Sequence, residues 1–342
     1  MKTRPSTIIQ LLLVVMLLAL SVNGAAGSYP QLAAAPYKLI FIDVGQGDAA
    51  LLIDPDGFTV LIDGGDGSAG PGLTSYIREL GIADIDVMVA THPHSDHFGG
   101  LIAVLKMVDV PVKSVVYNGY PGSSNEWFDF TDAVLAEGLT LTPAAYPDSF
   151  AWGAISALTL NPAAGLPNPD SNDDCLAFLV HTGNIKTLFA CDLDSVQERV
   201  ILDRIGNIDA DLLKVAHHGS GTSSGTAFLD AVSPTEAIIS VGDNSYGHPV
   251  PATIARLEDA GARIWRTDLQ GTITVLTDGV SYAITHNLPV VGPMKVFLPL
   301  AMRVEVPAPA PHVIISTIFY DGTTGSSEPD EYVEIFNSGE PV

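Results

Sequence analysis

The sequence predicts an α/β fold in which two sheets pack face to face and helices cover their outer sides. Three observations favour this arrangement. Strand-like runs separated only by tight turns open the chain. Further strands then alternate with helices, and this order of meander followed by alternation occurs twice. A single doubly wound sheet would alternate throughout, so we expect a sandwich of two sheets.

The first half of the chain contains β-rich runs bounded by glycine and aspartate, and we assign strands at 38–44, 49–53, 58–62, 85–91 and 113–118. The run IDVMVAT is continuously apolar, which is typical of a strand buried on both faces. Helices are predicted between these strands at 74–80, 99–107 and 125–138. Gly81 and Gly138 end the first and the last of these helices.

The second half repeats the pattern. The segment CLAFLVHTGNIKTLFAC predicts a hairpin over 175–191, and later strands are predicted at 210–217, 236–241, 263–267 and 271–279. Helices are predicted at 194–205, 225–232 and 251–261. If the hairpin turns at 181–185, Cys175 and Cys191 face each other across its open end. Either a cross-strand disulfide or two small buried thiols would fit that position.

The two ends of the chain differ from its centre. Residues 1–27 have the layout of a secretory signal peptide: Lys2 and Arg4 precede an apolar run, and small residues follow it. The alternative is an uncleaved anchor, although the run is short for a bilayer span. We predict a main domain over 36–286 and a proline-rich linker over 287–311. Strand patterning resumes over 312–342, where the tail either docks on the main domain or begins a β-domain.

The formal net charge is −24. Such a surface repels phosphate backbones at long range and argues against tight, nonspecific binding of nucleic acid by the bulk surface. A locally positive site is still compatible with it, because a bound metal ion dominates its own neighbourhood. The acidity also fits a soluble, secreted protein.

The segment HPHSDH, at 92–97, places four potential metal ligands at the end of a buried strand. Alternate side chains of extended backbone share a face, so His92 and His94 can point to one ion. Asp96 and His97 follow as the chain turns and can point to a second ion beside it. Imidazole and carboxylate together suit zinc, manganese or iron.

Polar residues also follow three later apolar strands. They are Asp192 after one strand, His217 and His218 after the next, and His248 after the third. Because active sites of α/β folds lie at such strand ends, we expect these residues to converge with the HPHSDH segment.

HPHSDH resembles the His-x-His-x-Asp-His signature of the metallo-β-lactamase fold. The segments FIDVGQGDAALLI, VLIDGG, LKVAHHGSGTSS and SVGDNSYGHP are similar to the nuclease-like domain of ComEC-type competence proteins. The resemblance covers about 38–280, and the tail is similar to the opening strands of a lamin-tail domain. It implies a four-layer αββα sandwich and a dinuclear metal hydrolase with zinc or manganese.

The resemblance also implies roles for individual residues. His92 and His94 would hold the first metal, and Asp96 and His97 the second. Asp192 would bridge both, and His217, His218 or both would complete the site. The catalytic candidates are Asp96, His218 and His248, with His248 beside the scissile group. Asp63 would support the ligand loop from behind.

One departure from the family concerns a middle histidine ligand. The sequence has no histidine between His97 and His181, and Asn172, Asp173 and Asp174 are the candidates to replace it.

The function implied is a secreted phosphodiesterase or nuclease, with DNA as one candidate substrate. The alternatives are a lactone or other ester hydrolase, and a non-catalytic metal-binding protein of the cell surface that uses its C-terminal segment for attachment. We expect no membrane span after cleavage of the signal.

Overall fold

The structure is a computed structural model that describes residues 36–163 and 172–287. The strands in this part of the chain, in order, are β1 (Tyr37–Phe41), β2 (Ala50–Ile53), β3 (Thr59–Ile62), β4 (Val87–Ala90), β5 (Val115–Tyr117), β6 (Leu141–Pro143), β7 (Ser149–Trp152), β8 (Ile155–Asn161), β9 (Ala177–Thr182), β10 (Ile185–Phe189), β11 (Leu212–Lys214), β12 (Glu236–Ile239), β13 (Arg263–Arg266), β14 (Thr272–Thr277) and β15 (Tyr282–Asn287).

The helices are α1 (Gly70–Glu79), α2 (Ser95–Phe98), α3 (Leu101–Leu105), α4 (Asn125–Ala136), α5 (Ser195–Ile205), α6 (Thr226–Val232), α7 (Pro251–Asp259) and α8 (Thr267–Gln270). Short 3₁₀ turns occur at Gly67–Ala69, Asn172–Asp174 and Ala216–Gly219. Among the described residues, none of the helices has the length and apolar character needed to cross a bilayer.

The strands form two sheets with related topology. The first sheet has the order β15-β14-β1-β2-β3-β4-β5-β6, and the second has the order β13-β12-β11-β10-β9-β8-β7. Each sheet joins an antiparallel meander to a parallel part: β3 to β6 are parallel in the first, and β10 to β13 in the second. The predicted sandwich of two sheets is therefore confirmed.

Three apolar cores hold the layers together. Alternation along β1 sends Leu39 and Phe41 between the two sheets, where they join Phe178 of β9. Ile40 points the other way, into a core shared with α1, α3 and α4. A third core packs the second sheet against α5, α6 and α7. Helices therefore cover the outer face of each sheet, as a four-layer αββα sandwich requires.

Several boundaries differ from the prediction. The helix expected at 99–107 is observed as the shorter α3, and a short helix that was not predicted, α2, precedes it. Gly100, between the two, packs directly on the backbone of Gly64, where a side chain would collide with the Gly64 carbonyl. Helix α1 begins at Gly70 and not at residue 74, since Pro71 fits the first turn of a helix. Strands β6, β7 and β8 lie in a segment for which no strand was predicted.

The hairpin β9–β10 has a register that differs by one residue from the symmetric arrangement assumed above. Thr182 pairs with Ile185, so Val180 lies opposite Thr187. Cys175 and Cys191 lie outside the ladder and are free, buried thiols. The structure thus matches the buried-thiol alternative and not the disulfide.

The predicted signal peptide (1–27) and C-terminal β-segment (312–342) lie outside the described residues, as does the linker (287–311) apart from Asn287, the last residue of β15.

Candidate metal centre

The loops that follow β4, β10, β11 and β12 meet at one edge of the sandwich. They bring together the candidate ligands of the HPHSDH segment and the polar residues that follow the three later strands. We call this group the cluster, and it consists of His92, His94, Asp96, His97, Asp192, His217, His218 and His248. The sequence predicted this convergence from the strand ends, and the structure now gives its geometry.

Asp192 lies at the centre of the cluster and is buried. Its Oδ2 atom lies 3.3 Å from His97 Nε2 and 3.8 Å from the Nε2 atoms of both His217 and His218. Three imidazoles from two different loops therefore face one carboxylate oxygen. This is the arrangement expected of a carboxylate shared between neighbouring cations.

The HPHSDH segment divides between extended backbone and helix. His92 and His94 lie side by side before α2, with 3.0 Å between His92 Nε2 and His94 Nδ1. Asp96 and His97 belong to α2, and the ring of His97 lies beside that of His92, with 4.1 Å between their centroids. Asp96 Oδ2 lies 3.4 Å from His218 Nε2, so the first and third loops meet there.

Asp63 fixes the orientation of His97. Its Oδ2 atom lies 2.8 Å from His97 Nδ1 and accepts a 2.7 Å hydrogen bond from the Thr91 hydroxyl. Its Oδ1 atom accepts a hydrogen bond from the backbone N–H of Thr91 at 2.8 Å. With Nδ1 held in this way, Nε2 of His97 points toward Asp192.

His218 is oriented by a comparable contact. Its Nδ1 atom lies 2.9 Å from the carbonyl oxygen of Ser240 and 3.4 Å from Asp48 Oδ1. Nδ1 donates to the carbonyl, since a carbonyl oxygen can only accept. Nε2 is thereby left free to face Asp96 and Asp192.

His217 and His248 form the more open side of the cluster. Their rings contact edge to face at a centroid distance of 5.4 Å. Of the candidates for the middle ligand, Asn172 has its amide nitrogen 3.4 Å from both ring nitrogens of His217.

Backbone strain is concentrated around the cluster. Of the seven described non-glycine residues with positive φ, four lie in the cluster or in direct contact with it: Asp63, Cys191, His217 and His218. Left-handed backbone at non-glycine residues costs about 1–3 kcal/mol each and is retained mostly at functional sites. The consecutive left-handed conformations of His217 and His218 lie just after β11, where the chain enters the cluster.

The electrostatics couple the histidines to the carboxylates. Burial favours the neutral imidazole, yet the carboxylates of Asp192 and Asp63 outweigh burial and hold the pKa of His97 well above its ordinary value. Asp192 and Asp48 likewise raise the pKa of His218 to about 10 against the effect of burial. In turn, His97 and His218 overcome the desolvation of Asp192 and hold its pKa well below its ordinary value. Burial lowers the pKa of His92, His217 and His248.

Sequence reasoning missed an ion pair behind the cluster. Lys214, which is 4% exposed, donates to Asp48 Oδ2 at 2.6 Å and also to the Val215 carbonyl. Asp48 is buried as well, and its other carboxylate oxygen is the one that faces His218. The available signal was the lysine within the apolar strand DLLKVAH, because a buried ammonium group requires a carboxylate partner.

Both thiols contact predicted ligands. The backbone N–H of Asp192 donates to Cys175 Sγ at 3.1 Å, and Cys191 Sγ lies 3.5 Å from His92 Nδ1. A small cavity beside Cys191, bordered also by Asp48, Lys214 and Ser240, has room for about one water molecule. It lies behind the ligands and is too small for a substrate.

The loop over 220–225, which follows His218, is held through its backbone. Glu198 of α5 accepts hydrogen bonds from the N–H groups of Ser224 and Gly225. Arg256 of α7 donates to the carbonyl oxygens of Ser223 and Ser224 at 2.8 Å. The loop is thus fixed from two sides.

Glu198 makes a pH-dependent contribution to stability that can be measured. Burial raises its pKa to about 7, against the two backbone N–H groups and Arg256 and with the help of Asp194. The folded protein then holds this proton more tightly than the unfolded chain, so the contribution favours the fold at low pH and is lost as pH rises from about 4.5 through about 7. We expect Glu198→Gln to remove about 3 kcal/mol of the fall in unfolding free energy between pH 4.5 and 8.

Urea unfolding of both proteins at several pH values checks this expectation. Other titrating groups are common to the two proteins and cancel in the difference between them. Parallel pH profiles for the wild type and Glu198→Gln would contradict it.

The buried polar atoms of the cluster suit a metal. Four of them have no hydrogen-bond partner among the described residues: His97 Nε2, His218 Nε2, Asp192 Oδ1 and His248 Nδ1. Asp96, His97 and His218 each offer a ligand atom within 4.8 Å of the others, as do Asp48, Asp192 and His218. Buried polar groups need partners, and divalent cations bound between these residues would supply them.

Comparison with known proteins agrees with this geometry. The model of the "Metallo-beta-lactamase superfamily" matches residues 42–243. ComE operon protein 3 of Bacillus subtilis (strain 168) is 31% identical over 251 residues, which cover 68% of this chain and 32% of that protein. Competence protein ComA of Neisseria gonorrhoeae is 29% identical over 233 residues, covering 68% of this chain and 31% of ComA.

Recombination protein 2 of Haemophilus influenzae is 25% identical over 253 residues, covering 72% of this chain and 30% of that protein. The chain thus spans about a third of the length of these curated relatives. The motifs quoted above and the two-sheet sandwich agree with the match to the superfamily model. The chain therefore belongs to the metallo-beta-lactamase superfamily.

Proposed function

We propose that the protein is a dinuclear metal-dependent hydrolase that cleaves phosphodiester bonds. The observation that carries the proposal is the convergence of three imidazoles on the buried Asp192 carboxylate. Seven ionisable side chains would share two cations between them, and three of their buried polar atoms have no hydrogen-bond partner among the described residues.

The contacts suggest how the ligands divide. Asp96, His97 and His218 would hold one cation, since Asp96 approaches His218 and both imidazoles face Asp192. His92 and His94, which lie side by side, would hold the other, and the family resemblance assigns His217 to complete it, with Asn172 beside His217 in place of a middle histidine. Asp192 would contact both. Divalent zinc or manganese bound there would lower the pKa of a water molecule and so supply a nucleophile near neutral pH.

Residues around the ligands would hold the ligand imidazoles in place and contact the leaving group. Asp63 and the Ser240 carbonyl hold the Nδ1 sides of His97 and His218, so that both Nε2 atoms keep one direction. Burial lowers the pKa of His248 and so favours its neutral imidazole. This side chain would donate an N–H hydrogen bond to the leaving oxygen.

Relatedness to competence proteins favours phosphodiesters, and DNA is one candidate. The net charge of −24 favours short substrates over long polyanions. A lactone or other ester is the alternative substrate, and a non-catalytic metal-binding surface protein is the alternative function. We also propose secretion, with the signal peptide at 1–27 removed and the segment at 312–342 available for attachment to the cell surface.

A substrate panel tests the proposal. Purified protein is supplied with manganese or zinc and offered bis(p-nitrophenyl) phosphate, p-nitrophenyl acetate and a homoserine lactone. We expect cleavage of the diester, loss of cleavage after chelation, and recovery when metal is restored. Cleavage of the acetate or lactone with an intact diester would favour the alternative substrates, and no cleavage by metal-loaded protein would favour the surface-binding alternative.

A further inference from the structure

An exposed aromatic ring lies at the open side of the metal centre. Tyr246, in the loop after β12, is 72% exposed. Its ring stacks on His248 with a centroid distance of 5.7 Å and an interplanar angle of 27°. His248 in turn contacts His217, whose Nε2 faces Asp192. Tyr246 is therefore separated from a predicted ligand by a single imidazole.

The loop that carries Tyr246 is held rigidly although the ring itself is uncovered. The Asn244 side chain donates to the carbonyl oxygens of Gly242 and His248, both at 2.8 Å. Its Oδ1 atom accepts from the backbone N–H groups of Tyr246 at 3.1 Å and His248 at 3.0 Å. At the base of the loop, Gly242 packs on the backbone of Gly45 so closely that a side chain there would collide.

This combination favours a ligand-binding role over a role in folding. A tyrosine stabilises a fold mainly through the apolar area that it buries, and most of this ring is in solvent. Its stacked position fixes the orientation of the ring before any ligand arrives, which lowers the entropic cost of binding.

We propose that Tyr246 forms a stacking surface for a planar ring carried by the substrate, so that the preferred substrate is a nucleoside-bearing phosphodiester. The inference rests on the proposed phosphodiesterase function. Every nucleobase offers a π-face, and stacking on aromatic side chains is tolerant of base identity. Stacking also requires no positive charge, which suits a chain with a net charge of −24.

Two chromogenic diesters test the inference because they share one leaving group. Thymidine 5′-(p-nitrophenyl phosphate) carries a base on the group that remains, whereas methyl p-nitrophenyl phosphate carries none. We expect the wild type to prefer the thymidine diester in kcat/KM by about tenfold, mostly through KM. Tyr246→Ala is expected to abolish most of this preference, and Tyr246→Phe to retain it, since the stacking face is unchanged.

Phe128→Ala is the matched control, because Phe128 is another exposed aromatic residue, 52% exposed, on α4. It should leave the preference at the wild-type value. Equal preference in the wild type and Tyr246→Ala, with both diesters cleaved, would overturn the stacking surface and leave the phosphodiesterase function intact. Failure of the metal-loaded wild type to cleave either diester would overturn the phosphodiesterase function and, with it, this inference.

Discussion

Replacing Asp192 with alanine is expected to lower bound metal below one ion per chain and to reduce kcat/KM for a phosphodiester at least about a thousandfold. The reason is geometric, since one oxygen of Asp192 faces three imidazoles at 3.3–3.8 Å. Loss of a shared carboxylate removes a ligand from both cations, and a thousandfold effect corresponds to about 4 kcal/mol of transition-state stabilisation. Metal content by mass spectrometry and diester kinetics measure the two effects separately.

Two further variants make this result interpretable. Asp192→Asn keeps the size of the side chain but not its charge, and should show the same loss of metal if the alanine variant folds poorly. Asp230→Ala removes an exposed carboxylate from α6 and should retain full metal content and activity. If His92→Ala combined with Asp192→Ala left hydrolysis unchanged, the metal mechanism would be wrong.

Replacing Lys214 with methionine is expected to destabilise the fold by about 3–5 kcal/mol. Methionine matches the length of the side chain but leaves the buried Asp48 carboxylate without its 2.6 Å partner. The pKa of Asp48 is held at about 2 because Lys214 and the neighbouring histidines overcome desolvation, so the carboxylate is charged at neutral pH. Removing one partner of a buried ion pair carries a penalty of that size. Urea unfolding at pH 7 measures it.

A double-mutant cycle separates the ion pair from simple packing. Asp48→Asn combined with Lys214→Met removes both charges, and we expect it to be about 2 kcal/mol less destabilised than the sum of the single variants. Additive effects would contradict the ion pair. The double variant contains no unpaired carboxylate at position 48. If Lys214→Met alone is unfolded, a folded double variant would therefore still show that the two effects are not additive.

Much of the fold follows from local pattern. Continuous apolar runs such as 85–91 identified buried strands, and the repeated order of meander and alternation identified two sheets. Pattern alone did not give the register of the hairpin β9–β10, because a shift of one residue depends on the two-residue turn and not on composition. Nor did it give the short helix α2 or the start of α3 after Gly100, a residue whose backbone packs on the distant Gly64.

Some features of the candidate site could likewise be predicted from the sequence, and others could not. The ligand candidates were visible as histidines and aspartates at strand ends, where topology must gather them. The partner of Lys214 could not be predicted, although a lysine within an apolar strand was a signal, because Asp48 lies 166 positions away in the sequence. Their pairing depends on how the two sheets pack. The arrangement of Tyr246 on His248 likewise depends on the hydrogen bonds of Asn244, which sequence spacing does not specify.

Metal stoichiometry tests the central claim most directly. The protein is refolded with excess zinc or manganese, passed through a desalting column and measured by inductively coupled plasma mass spectrometry. Two cations per chain in the wild type, with fewer than one in Asp192→Ala, is the result that the dinuclear centre predicts. Fewer than one cation per wild-type chain would contradict it and would favour a fold retained as a non-catalytic scaffold.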